Sequence, residues 1–161
     1  MNNNWSQWIS FYDIDKYHVP QKSGVYKIRY FNKNINKPHQ IQRLYGIDKE
    51  GILSIGESGN LFNRMWTFYE AIQPLKKQLN HAAAWYYVSF KYNRVFKKRY
   101  LQFSYMITQN KKEAERKEFI LLAEYRNIFL DLPPLNNNPG KYPYDWKKIM
   151  KSITGILPPN D

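Results

Sequence analysis

The chain has 161 residues and is 43% hydrophobic, the size and apolar content of one ordinary domain with a buried core. Its 25 Lys and Arg stand against 13 Asp and Glu, a formal net charge of +12 that points to a polyanionic partner. Cysteine is absent, which excludes disulfides, thiolate metal sites and cysteine nucleophiles together.

In chain order, the opening MNNNWSQW lacks the basic start and apolar stretch of a secretory signal, so a cytoplasmic protein is expected. WSQWISFYDI is expected to pack as a peripheral helix. Residues 24–31 (GVYKIRYF) alternate Val25, Lys27, Arg29 and Phe31 with Tyr26, Ile28 and Tyr30, the two-residue period of a strand. Residues 51–55 (GILSI) read as a second strand, closed by the turn-forming GESGN of 56–60, and the two strands suggest a hairpin. Leu61, Met65, Phe68 and Ile72 then recur at helical spacing until Pro74.

Segments 85–92 and 101–107 read as strands, or as one strand and one extended arm. A second helix opens at Asn110, with Glu113 three residues on, and runs to about Phe129 before Pro133 and Pro134. YPYDWKKIM is a further peripheral helix. The pattern predicts one α/β domain over 1–161: a small central antiparallel sheet of three or more strands, flanked by helices at about 60–72 and 110–129. The longest apolar run, 82–88, is far short of the ~20 residues that cross a bilayer.

Between Lys76 and Lys112 lie nine Lys and Arg and no acid. A charge run is most often a solvated face, but this one is interleaved with Trp85, Tyr86, Tyr87, Tyr92, Phe96 and Tyr100. Lys76, Lys77, Lys91, Arg94, Lys97, Lys98 and Arg99 are therefore candidate nucleic-acid contacts. Gly46 and Gly51 have phosphate-loop spacing, yet Ile52-Leu53 follow where Lys-Ser/Thr is required, and neither H-E-x-x-H nor G-x-S-x-G occurs.

What survives is an ordered set: Gly24-Val25-Tyr26, then Ser54-Ile55-Gly56, Arg64 early in a helix, Glu118 in the next long helix, and Pro134-Leu135-Asn136. This set resembles the GIY-YIG nuclease family over about residues 24–136. The resemblance implies a metal-dependent endonuclease that hydrolyses DNA phosphodiester bonds. Tyr26 would orient or activate water, Arg64 would hold the phosphoryl oxygens, Glu118 would bind Mg²⁺ (or Mn²⁺), and Asn136 would close the nucleic-acid site. One departure stands out: Ser54 occupies the place of the second motif's tyrosine, and its shorter hydroxyl cannot reach the same point. A nucleic-acid-binding protein on this scaffold, its catalysis weakened or lost at Ser54, is the alternative. A homodimer or partner subunit would supply specificity that one small domain lacks.

The residues also carry these readings by themselves. Arg64 lies in a helix first turn, where free N–H groups and the dipole favour a phosphate, and its planar fork grips two oxygens. Pairing with Glu57 or Glu70 is the plainer alternative. Glu118 shares a stripe with Ala114, Leu121, Leu122 and Tyr125, so its carboxylate faces inward and needs a cation: a metal, Arg64 or a lysine. Tyr26 has an unperturbed pKa near 10 and requires help from a neighbouring cation to act as a base. His81 is a candidate phosphate contact or proton shuttle, against the commoner structural histidine.

Overall fold

The structure, a computed structural model, describes residues 5–32, 34, 36–73, 80–156 and 158. Its centre is the alternating run read from the sequence, strand β2 (Gly24–Asn32). Two short strands, β1 (Ile9–Ser10) and β3 (Lys37–Pro38), and two longer ones, β6 (Ile52–Ser58) and β7 (Leu101–Ile107), complete a five-stranded antiparallel sheet. β7 lies along one side of β2, with Tyr26 opposite Tyr105 and Ile28 opposite Phe103. β6 lies along the other, pairing Tyr26 with Gly56 and Ile28 with Ser54. The register then shifts, so that Arg29 faces Ile52 and Leu53 is the extra residue of a bulge. A separate hairpin of β4 (Ile41–Gln42) and β5 (Ile47–Asp48) precedes β6.

Helices cover both faces of the sheet. Tyr26, Ile28 and Tyr30 share the main core with α1 (Leu61–Ala71) and α2 (Ala82–Ser89), through Leu61, Met65, Phe68, Ala83, Ala84 and Tyr87. Ile52 and Ile55 instead meet Leu122 and Tyr125 of α3 (Lys111–Phe129). A terminal helix α4 (Trp146–Thr154), where YPYDWKKIM was expected to be helical, packs on α3. The α3 start is the cap read from the sequence. Asn110 Oδ1 accepts the Glu113 N–H, while Glu113 Oε2 accepts the Gln109 N–H. Buried Asp48 ties the beginning of β6 to α3, because its carboxylate accepts the Glu50, Gly51 and Ile52 N–H groups and the Tyr125 hydroxyl. Among the described residues no helix is long and apolar enough to cross a membrane.

Two expected elements differ. Residues 85–92 are not a strand: α2 occupies Ala82–Ser89, started by three alanines, the strongest helix formers. The WSQWISFYDI segment is not a helix. It adds β1 to β7 and then turns through a short 3₁₀ segment, Phe11–Lys16, so that Ile9, Phe11 and Ile14 enter the main core.

Candidate functional site

The site is built on the Tyr26–Gly56 pair. A side chain at Gly56 would place its Cβ 2.4 Å from the Tyr26 hydroxyl oxygen, so the phenol lies directly across the glycine. Gly24 is equally constrained, since a Cβ there would meet the Met106 carbonyl at 2.3 Å and Leu61 at 2.7 Å. These close approaches explain why both motifs carry glycine beside the strand pair. Tyr26 is only 2% exposed.

Two groups meet at its hydroxyl. Arg64 donates from Nε at 3.2 Å, and His81 Nε2 lies at 3.3 Å. His81 is 1% exposed, stands as the residue before α2, and packs edge-on to Phe68; its Nδ1 is buried without a partner. Burial first, and then the nearby Arg64 charge, hold its pKa well below the ordinary histidine value. A neutral imidazole can accept the Tyr26 hydrogen on Nε2, giving the chain Arg64 to Tyr26 to His81. Burial also raises the Tyr26 pKa, against the opposing pull of Arg64. The phenol is therefore protonated at neutral pH, and the cation beside it does not make it a phenolate.

Arg64 sits on α1 beside Tyr26, and among the described residues it forms no ion pair; Glu57 bonds to Lys111 instead. The expected anion site at the helix start is not there. The N–H groups of Leu61 and Phe62 donate to the Lys22 and Pro20 carbonyls, Asn63 N–H donates to Asn60 Oδ1, and Arg64 N–H donates to the Asn60 carbonyl. Phosphate binding here would fall to the guanidinium's NH groups.

Glu118 comes within electrostatic range of this group of side chains from α3. It is half-buried, Gly140 backs it at 3.2 Å from a virtual Cβ, and its charge acts on both Tyr26 and Arg64. Among the described residues its carboxylate has no hydrogen bond or ion pair, and burial, then the Glu57 charge, pushes its pKa up to about 7. The upward shift survives the opposing charges of Lys111 and Arg64, and a bound cation would lower the pKa further. No three His, Asp or Glu side chains form a ready cluster among the described residues. Glu118 would thus serve as one carboxylate ligand, in the manner of Mg²⁺, which fills its shell with water and phosphate oxygens. Glu57 was read as a turn residue and as a possible partner of Arg64, not as a neighbour of Glu118. The signal for it was strand alternation, which sets it opposite Val25 at the mouth of the hairpin.

The remaining candidates are placed as follows. Ser54 is buried opposite Ile28, two residues from the Tyr26–Gly56 pair, and no hydrogen bond links it to Tyr26, Arg64 or Glu118. Asn136 lies against β6, donating to the Ile55 carbonyl at 2.7 Å and accepting the Ile55 N–H at 2.9 Å, so its amide is used within the protein. Lys91, Arg94, Lys97 and Arg99 are exposed, and Lys98 donates to Gln73. Lys76 and Lys77 lie outside the described residues. The aromatics interleaved with them divide: Tyr87 and Phe96 are buried, linked by the Tyr87 hydroxyl and the Phe96 carbonyl, and Tyr92 and Tyr100 pack on the core. Trp85 is exposed. No family model, curated protein or solved structure matches the chain.

Proposed function

We propose that the protein is a metal-dependent endonuclease of the GIY-YIG type, hydrolysing phosphodiester bonds in DNA. The observation that carries this reading is the meeting of Arg64, His81 and Tyr26 at one hydroxyl, with the unpartnered Glu118 carboxylate in electrostatic reach. Arg64, free of any ion pair among the described residues, holds the substrate's phosphoryl oxygens and stabilises the charge that builds on them in the transition state. Tyr26 orients the attacking water. As its oxygen takes the water's proton, its own hydrogen passes to neutral His81, so no free phenolate is needed. Glu118 would hold a divalent metal, which supplies Lewis-acid stabilisation of the leaving oxygen when bound.

A second reading rests on a specific observation. Tyr26 is nearly sealed and Ser54 does not reach it, which favours a nucleic-acid-binding protein whose catalysis is weakened. A buried Ser54 opposite Ile28 also leaves little room for a tyrosine, so Ser54→Tyr overpacks the sheet and is a poor test of rescue.

A supercoiled-plasmid nicking assay with Mg²⁺ or Mn²⁺ separates the two. Metal-dependent nicking that disappears in Glu118→Ala and in Tyr26→Phe supports the nuclease. Salt-sensitive DNA binding with no nicking under either metal supports the binder, and neither binding nor nicking overturns both.

A further inference from the structure

The aromatics of α2 separate into an inner and an outer set. Ala83, Ala84 and Tyr87 point into the core, whereas Trp85 is 43% exposed and Phe90, just past the helix end, is 60% exposed. Tyr86 joins these two in a tight cluster. Trp85 stands nearly perpendicular to both partners, at 5.1 Å from Tyr86 and 5.5 Å from Phe90, while Tyr86 and Phe90 lie 5.3 Å apart and closer to parallel. The rings hold one another in place, so little side-chain freedom is lost when a further ring settles on them.

The surroundings of the cluster are basic and uncompensated. Lys91, Arg94 and Lys97 follow it directly, all exposed, and none forms an ion pair among the described residues. Lys27, Arg43, Lys111, Arg116 and Lys141 are each matched with a carboxylate, whereas among the described residues others such as Lys49, Lys117 and Lys151 are not, so what marks this group is its place directly after the exposed rings. Trp85 is also one helical turn, roughly 6 Å along the axis, from His81, and its N–H donates to the His81 carbonyl.

We propose that Trp85 and Phe90 form a stacking platform for unpaired bases, flanked by Lys91, Arg94 and Lys97 for the phosphates, so that the preferred partner is DNA with a single-stranded element. Charge and ring chemistry select this occupant. A second copy of a +12 chain brings more positive charge to the same patch, and a duplex keeps its base faces stacked inside, out of reach of an indole. Every unpaired base has an open π-face, which makes the platform tolerant of sequence. The inference deepens the preceding reading and rests on its nucleic-acid-binding half, not on catalysis.

The test is fluorescence anisotropy of the full chain with one labelled oligonucleotide of mixed sequence, presented as single strand and as duplex, in EDTA so that cleavage plays no part. The single strand is expected to bind more tightly. Trp85→Ala and Phe90→Ala should each weaken single-strand binding between about 5- and 150-fold, the effect of losing one stacked base, with duplex binding little changed. Trp85→Phe, which keeps a ring, should retain most of the affinity and controls for folding. Equal losses on both DNA forms, no loss on either, or duplex preferred by the wild type would overturn the platform. So would a wild-type dimer, seen by sedimentation, that Trp85→Ala dissolves. If the platform holds while plasmid nicking is absent, catalysis alone has failed; nicking without Trp85-dependent binding is the reverse case.

Discussion

Among single residues Glu118 makes the first prediction, because its ionisation bears on stability and, under the proposed function, on metal binding. Its folded pKa, about 7, lies above the ordinary 4.5, so the folded protein holds this proton more tightly than the unfolded chain does. The contribution is most favourable below about pH 4.5, declines as pH rises to about 7, and is level above that. Glu118→Gln should therefore raise the melting temperature of metal-free protein at about pH 8, by the few degrees that about 1–3 kcal/mol gives a partly buried group, and not at about pH 4. Calorimetry at the two pH values checks it. Metal-dependent cleavage should fall as pH drops below about 7, with the midpoint moving lower at higher Mg²⁺, because the ion competes with the proton. Arg64 makes a second residue-scale prediction. Lysine cannot keep the Nε bond to Tyr26 and still offer a fork to phosphate, so Arg64→Lys should lower kcat by roughly 10²- to 10³-fold in the nicking assay.

Among the elements, the β2–β6 pair sets the site, and its glycines are not interchangeable. Gly56→Ala must push aside the Tyr26 phenol and should cost about 1–3 kcal/mol in urea denaturation, whereas Gly59→Ala meets nothing nearer than Lys111 at 3.8 Å and should cost far less. β2 and the helices α1 and α3 were legible because their polar and apolar residues recur with the period of the element, whereas β6, buried on both faces, showed only as a short apolar run closed by a turn. α2 was not legible. Its AAAWYYV run is apolar with no polar face to set a period, and its rings resemble strand composition. The 9–14 segment misled for the opposite reason: its apolar spacing serves a two-residue strand and a 3₁₀ turn in succession. At α1 the cap residue Asn60 was visible as a turn signal, but nothing in the sequence showed that the Lys22 and Pro20 carbonyls would occupy the free N–H groups. Those bonds cross about 40 residues of chain and belong to the tertiary fold.

For the molecule as a whole, order along the chain showed which residues were candidates, and folding decided which meet. Tyr26, Arg64 and His81 are separated by 38 and 55 positions in their hydrogen bonds, yet share one oxygen. Asn136, read as a nucleic-acid contact, instead serves the sheet. Acids match only part of the charge surplus, and among the unmatched cations Lys91, Arg94 and Lys97 follow directly on the exposed rings Trp85 and Phe90. Binding to single-stranded DNA should thus lose about 0.7 from the slope of log affinity against log salt for each phosphate contact removed, as in Arg94→Ala or Lys97→Ala, read from a salt titration. Asn136 carries a consequence beyond the site. Together with the Leu135 N–H, which donates to the Leu53 carbonyl, its amide imitates a neighbouring strand along the outer rim of β6. Without that imitation the rim would offer unpaired backbone groups to any extended chain that approached, including a copy of itself. Asn136→Ala protein should accordingly show light scattering that grows with concentration and fades when soluble competitor strands are added. The turn at Pro134-Leu135-Asn136 is thereby expected to shield the open edge of β6 from pairing with other chains.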